Sequence, residues 1–277
     1  MEKQDTNSKL SDGINYYVLA FIGIGTMIFL VGNSIETPIE NKLDGYEILS
    51  SMGFAAATIF AFVLAKRYWG SEIFGRSYLA LAIGYLCYSI GWNLWWYYEI
   101  YEKVENPYFY YPDIFFIAFY PLVIYHIRKN FKYFKRTTTS NQKLTIIIIP
   151  LVLSSVYAFF GLVPVEAEGG LLTLKINEFP DYDTRFYAEF FTGLGFTFAS
   201  ALTFSFAIVG AQIFRTTVLG AAWGLLLLGI MINTAADTYY YIYELFGDYE
   251  RSDPVIGIWL LSTVIICYGL FKHRKEF

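Results

Sequence analysis

Charge is scarce in this sequence: 16% of its 277 residues are Asp, Glu, Lys or Arg, against about 25% in soluble domains. That scarcity excludes an ordinary water-soluble globule. Cysteine is scarcer still, and Cys87 and Cys267 both sit within apolar runs, which leaves neither a disulfide framework nor a Cys/His zinc spacing. The two histidines, His126 at the end of an apolar run and His273 in a basic tail, are not positioned to clamp a haem across a bundle or to build a three-histidine hydrolase centre. Gly-x-Ser-x-Gly, P-loop and His-Glu-x-x-His patterns are missing. No Lys lies in the last apolar runs to form a retinal Schiff base. No Gly/Ser/Pro-rich linker sets off a soluble domain, so the chain reads as one domain, 1–277. The expectation is a protein with no catalytic residues, metal, cofactor or nucleic-acid partner.

What is present in quantity is uncharged chain. Residues 77–98, 190–214 and 216–236 are runs of 22, 25 and 21 residues without a single charged side chain. About 20 apolar residues span a bilayer as a helix, whereas barrel strands alternate over about 10. The fold expected is all-α, a polytopic membrane helix bundle with eight transmembrane helices at roughly 14–34, 46–66, 78–98, 108–127, 143–163, 186–212, 217–243 and 254–271. The first 13 residues form a polar tail of mixed charge, unlike a cleavable secretory signal, so the first span reads as a retained anchor.

Lys and Arg favour cytoplasmic loops. With the N-terminus inside, alternation puts 15 of the 20 basic residues in the cytoplasm, including the cluster Arg128, Lys129, Lys132, Lys135 and Arg136. Of the 24 acids, 18 fall on the outer side and five inside; Asp237 lies within a span. Both termini are therefore expected in the cytoplasm of a multi-pass protein of the cell membrane. The basic cluster also offers anionic lipid headgroups, or an acidic partner, a complementary surface.

Shifting the chain by 145 residues lays Gly84 on Gly229, Tyr98 on Tyr243, Glu99 on Glu244, and Trp95 and Trp96 on Tyr240 and Tyr241. Each segment is an apolar helix with an aromatic end closed by Glu, followed by an acidic loop and an Asp/Pro helix start. Four helices separate the copies, so the halves, about 14–127 and 143–271, would share one orientation as a parallel repeat.

A charged side chain at the centre of a membrane helix costs on the order of 2.5–3.5 kcal/mol, which makes it a functional candidate. Asp237 is such a residue, seven positions and roughly 10 Å from Glu244. Asn233, Asp237, Tyr240, Tyr241 and Glu244 fall on one helical face. The third span offers Tyr85, Tyr88, Trp92, Trp95, Trp96 and Glu99, with Asn93 beside them, and the fourth adds Asp113 and Tyr120. Together they would line an aromatic and acidic cavity open to the outer face, suited to a small cationic or amphipathic molecule because ring faces and carboxylates both attract positive charge. The competing role for the rings is anchoring at the bilayer interface. Glu99, Glu102, Glu105 and Asp113 match no calcium loop.

Three stretches carry a family resemblance: Ile83-Gly84-Tyr85, Ser89-Ile90-Gly91-Trp92-Asn93-Leu94-Trp95, and, after Asn106-Pro107, Tyr111-Pro112-Asp113 through Tyr120-Pro121. With Leu228-Gly229, Ala236-Asp237, Tyr240, Asp253 and Trp259, about half of the chain resembles the multi-helix membrane sensor domains that precede histidine-kinase, PAS or diguanylate-cyclase modules in bacterial and archaeal signalling proteins. Those domains carry an acid after the glycine where this chain has Trp92, so the acidic position survives only as Asp237. The chain ends at Phe277 with no output module, so the resemblance implies a stand-alone sensor acting through a separate signalling partner. The alternatives are an accessory subunit of a membrane complex and a small transporter with Asp237 as coupling acid. A lipid-headgroup enzyme using Asp237, Glu99 and Asp113 would need a nucleophile or metal that the sequence does not offer.

Overall fold

The structure, a computed structural model of the chain, describes residues 45–102, 111–133, 138–162, 184–214, 220–245 and 254–275. They belong to one compact unit, 41–277. The described residues form seven helices and no strand: α1 Gly45–Arg67, α2 Phe74–Tyr97, α3 Tyr111–Tyr133, α4 Ser140–Leu162, α5 Thr184–Phe214, α6 Gly220–Tyr243 and α7 Pro254–Lys275. A π-helical turn, Tyr98–Glu102, extends α2. The seven answer to the second to eighth predicted spans; the first span and the polar tail, 1–13, lie outside the described residues. Ile48–Arg67, Ser140–Leu162, Tyr187–Phe214 and Val255–Arg274 are long and apolar enough to cross a membrane. α2, α3 and α6 are of similar length, 24, 23 and 24 residues, but spend part of it on Tyr, Trp, Asn and Asp.

Consecutive helices pack together, except that α3 bypasses α4 to reach α5, and α1 closes on α7. The order of neighbours α1–α2–α3–α5–α6–α7 thus returns to α1 as a ring of six, with α4 outside against α5. The sequence of α4 explains its place. It buries only Pro150, Tyr157 and Gly161, and turns Leu144, Ile147, Leu151 and Phe159 outward.

Contacts at the helix ends set the direction of each rod. Arg67 at the end of α1 donates to the Arg274 carbonyl late in α7 (2.6 Å), Ser77 early in α2 meets His126 late in α3, and Gln142 early in α4 meets Gln212 late in α5 (3.4 Å). One end of the bundle therefore carries Arg67, Arg76, Arg128, Lys143 and Arg274, and the other Glu102, Asp113, Glu189 and Glu244.

At the basic end the sequence expectation for His273 is corrected. His273 is not in a solvated tail: α7 runs on to Lys275 and leaves it 1% exposed. His126, from α3, is also fully buried. Its ring stacks on Trp223 at 5.2 Å, and His273 stands edge-on to the same indole at 5.6 Å. Tyr78 touches both imidazoles, at 5.0 and 5.4 Å. An aromatic socket from α2 and α6 thus shields both rings. Asn130 donates to Ser77 Oγ at 2.6 Å, which lies 2.7 Å from His126 Nδ1, and so ties α2 to α3. Towards the acidic end, this cluster gives way to an apolar layer of Leu81, Leu226, Leu227, Ile230 and Ile266, all fully buried.

α6 and α7 come close because each offers a notch to the other. A Cβ on Gly229 would lie 3.0 Å from the Ile266 backbone nitrogen, and one on Gly269 would lie 2.8 Å from that of Leu226. Small residues at such crossings let backbones approach in a bilayer. Small residues on α1 and α5 serve such contacts too: Gly53 faces Thr263 of α7, and Gly193 faces Tyr157 of α4. Because backbone cannot step aside, Gly269→Ala is expected to destabilise the detergent-solubilised protein by about 1–3 kcal/mol. Gly224→Ala, where a Cβ meets nothing within 4 Å, should be neutral or slightly stabilising in the same thermal melt.

Candidate functional site

Asp237 lies on α6, in the face defined by Asn233, Tyr240, Tyr241 and Glu244, and is 3% exposed. Tyr88 of α2 donates its hydroxyl to Oδ1 at 2.8 Å, and Trp259 of α7 donates its indole N–H to the same oxygen at 2.8 Å. Oδ2 accepts from the Tyr120 hydroxyl of α3 at 3.0 Å and from Asn233 Nδ2, one turn back, at 3.2 Å. An ionised carboxylate offers about four lone-pair positions, and all four are occupied. Hydrogen bonds to a charged group contribute about 1.5–3 kcal/mol each, so this set is of the size needed to offset burial of one ion, several kcal/mol. The network continues outward: Ser262 donates to Asn233 Oδ1 at 3.2 Å and to the Trp259 carbonyl at 2.6 Å.

Beyond Asp237, towards the acidic end, the helices part around a cavity of about 70 Å³. Among the described residues fourteen line it, nine of them aromatic and three acidic (Asp113, Asp237 and Glu244). Trp92 is buried at its wall, its ring 5.2 Å from Trp259 and 5.7 Å from Trp95. Glu244, just past the end of α6 and 7% exposed, accepts from the Tyr240 hydroxyl at 2.6 Å. Asp113, Trp95, Tyr240 and Tyr241 are half-buried and mark the more open side.

The structure therefore brings together Asp237, Tyr240, Tyr241, Glu244, Trp92, Trp95 and Asp113 at one cavity. Three further expected site residues sit differently. Asn233 lies beneath the cavity as a support for Asp237. Trp96 is buried beside Trp92 at 6.2 Å but does not line the space. Glu99 falls in the π-helical turn, and its side chain lies outside the described residues. Asn93 turns away to Ser51 of α1, donating to its hydroxyl at 3.0 Å. The sequence reading missed Thr192 and Phe196 of α5, which close the far wall, with Phe196 stacked on Tyr241 at 4.7 Å. It also missed Phe116 as a wall residue. Nothing marks these three in a uniformly apolar stretch; only the packing of α5 on α3 and α6 selects them.

Among the described residues no group of three or more His, Cys, Asp or Glu is placed to hold a metal ion. No protein-family model matches the chain, and no curated protein or solved structure matches it either.

Replacing Asp237 by Asn keeps the shape but turns an NH₂ towards two donors. Asp237→Asn is therefore expected to lose about 2 kcal/mol or more of stability, at ~1–3 kcal/mol for each donor left unsatisfied. Glu244→Gln, at the end of its helix, should lose less. A thermal melt in which Asp237→Asn matches the unsubstituted protein would remove the carboxylate from its place as keystone.

Proposed function

We propose that the protein is a non-enzymatic sensor or ligand-binding subunit of the cell membrane. It would bind a small cationic or amphipathic molecule in the cavity between α2, α3, α5, α6 and α7, and signal through a separate partner. The observation that carries this reading is the position of the cavity: its floor is the carboxylate that α2, α3 and α7 all grip. A molecule that packs better against one arrangement of these helices than another shifts their equilibrium, and differential affinity is all that such a switch requires. The same four helices meet again at the basic end around Tyr78, His126, Trp223 and His273. From there the basic 128–143 segment and the end of α7 would pass the shift to a membrane or cytoplasmic signalling protein. The resemblance to the membrane sensor domains that precede histidine-kinase, PAS or diguanylate-cyclase modules points the same way.

The topology that belongs to this reading is eight transmembrane helices with both termini in the cytoplasm, in two parallel halves. Its support is a parallel between two helix pairs. Gly84 of α2 faces Leu122 and Phe119 of α3, and Gly229 of α6 faces Ile266 and Ser262 of α7. Trp92 stands 145 positions before Asp237, so the two halves would give the cavity one ring and one acid at matching places. A transporter with Asp237 as coupling acid is less favoured, because the leucine and isoleucine layer closes the core below it and its oxygens are already filled.

Purification from native membranes in mild detergent tests the partner. A stoichiometric kinase, cyclase or transducer is expected, and neutralising Arg128 and Lys129 together should reduce its recovery without lowering the melting temperature. Companions that are enzyme or electron-transfer subunits would replace the sensor by an accessory role. A protein that purifies alone overturns both.

A further inference from the structure

We propose that the outer end of α3, residues 111–116, is a hinged lid on the cavity, pivoting on the turn that Pro121 leaves open. The proposal rests on the reading of the cavity as a binding site and adds how that site opens and shuts. Among the described helices of the ring, α3 is the one with a proline beyond its first turn. Pro121 has no N–H for the Ile117 carbonyl, and its ring pushes against that carbonyl. Pro112, in the first turn, costs nothing, because the amide it lacks would have no partner in the helix.

The missing bond sets both the place and the direction of the pivot. Pro121 and Ile117 lie one turn apart on the exposed face of α3. Pushing them apart lengthens that face, so the helix folds towards the opposite one, where Phe119, Tyr120 and Val123 are buried. Pro112, Asp113 and Phe116, which line the cavity, all precede the open turn. Tyr120 closes that turn and is fixed, its hydroxyl on Asp237 Oδ2 at 3.0 Å, and farther along Asn130 and His126 tie α3 to Ser77. The anchor and the moving wall thus lie on opposite sides of the pivot. A bend of about 20° acting over six residues, ~9 Å of helix, carries the tip by about 3 Å, the width of one water molecule. In a cavity of about 70 Å³ a wall that moves so far decides whether a guest fits. Gly91 supplies the seat on α2: a Cβ there would lie 3.1 Å from the Phe116 ring and 3.2 Å from the Pro112 carbonyl oxygen. With no side chain at 91 to interlock, the end of α3 can rock on α2 while staying in contact with it.

The test follows the lid itself and needs no ligand. Cys87 and Cys267 are changed to Ser in the full-length protein in nanodiscs, and a trifluoromethyl tag is attached through Ile114→Cys on the lid or Tyr125→Cys beyond the pivot, both exposed positions. Fluorine NMR is expected to show two resonances from the lid tag, in a ratio that changes with temperature, and one from the other. Pro121→Ala restores the amide and should leave the lid tag with a single resonance. Gly91→Ala crowds the seat and should shift the ratio about tenfold without altering the tag at 125; it keeps the test decisive should Pro121→Ala fold poorly in a thermal melt. A lid signal that neither variant alters overturns the hinge and leaves the cavity as a binding site. Two resonances from both tags also overturn it, because α3 then moves as a whole. Purification without a signalling partner removes the sensor reading and leaves these spectra, and the lid, as they are.

Discussion

One carboxylate holds this bundle together. Asp237 sits on α6, and its four hydrogen bonds come from α2, α3, α7 and α6 itself. Burying an ion in an apolar bundle is costly unless it is fully hydrogen-bonded, so the donors must all arrive together. That constraint fixes the rotation of α2 so that Tyr88 faces inward, the height of α3 at Tyr120, and the placing of Trp259 near the start of α7. The cavity above it is a consequence: the rings that reach the carboxylate occupy the floor, and the rings one turn farther along the same faces become the walls.

Much of this was legible in the sequence, for identifiable reasons. Long uncharged runs located the helices closely; the fifth predicted span, 143–163, is α4, Ser140–Leu162. Helical spacing placed Asn233, Asp237, Tyr240 and Glu244 on one face because that periodicity is local. The partners of Asp237 were harder to specify. Tyr120 and Trp259 lie 117 and 22 residues away, and which oxygen each reaches depends on packing that no spacing encodes. The eighth predicted span stopped at 271 because Lys272 and His273 read as the start of a tail. The structure continues to Lys275, since an imidazole with apolar faces finds Tyr78 and Trp223 around it.

Asn93 marks a further limit of reading by face. It neighbours Trp92 in the sequence, yet a helix turns by about 100° per residue, so adjacent positions point apart. Trp92 enters the cavity wall, whereas Asn93 reaches Ser51 and helps to hold α1 on α2. Polar character alone did not separate a site residue from a stitch between helices. The α5–α6 contact makes the same point, with Ser200 and Thr238 2.8 Å apart and not among the residues that line the cavity beside Asp237.

The clusters at the two ends use the same four rods: Tyr88 and Tyr78 on α2, Tyr120 and His126 on α3, Asp237 and Trp223 on α6, and Trp259 and His273 on α7. Rods fastened at two levels resist sliding past one another, because any axial shift shears both fastenings at once. Rotation of one rod about its long axis is held in the same way, because it swings Tyr88, Tyr120 or Trp259 out of reach of the Asp237 carboxylate. Such a frame moves as a unit or comes undone at both levels.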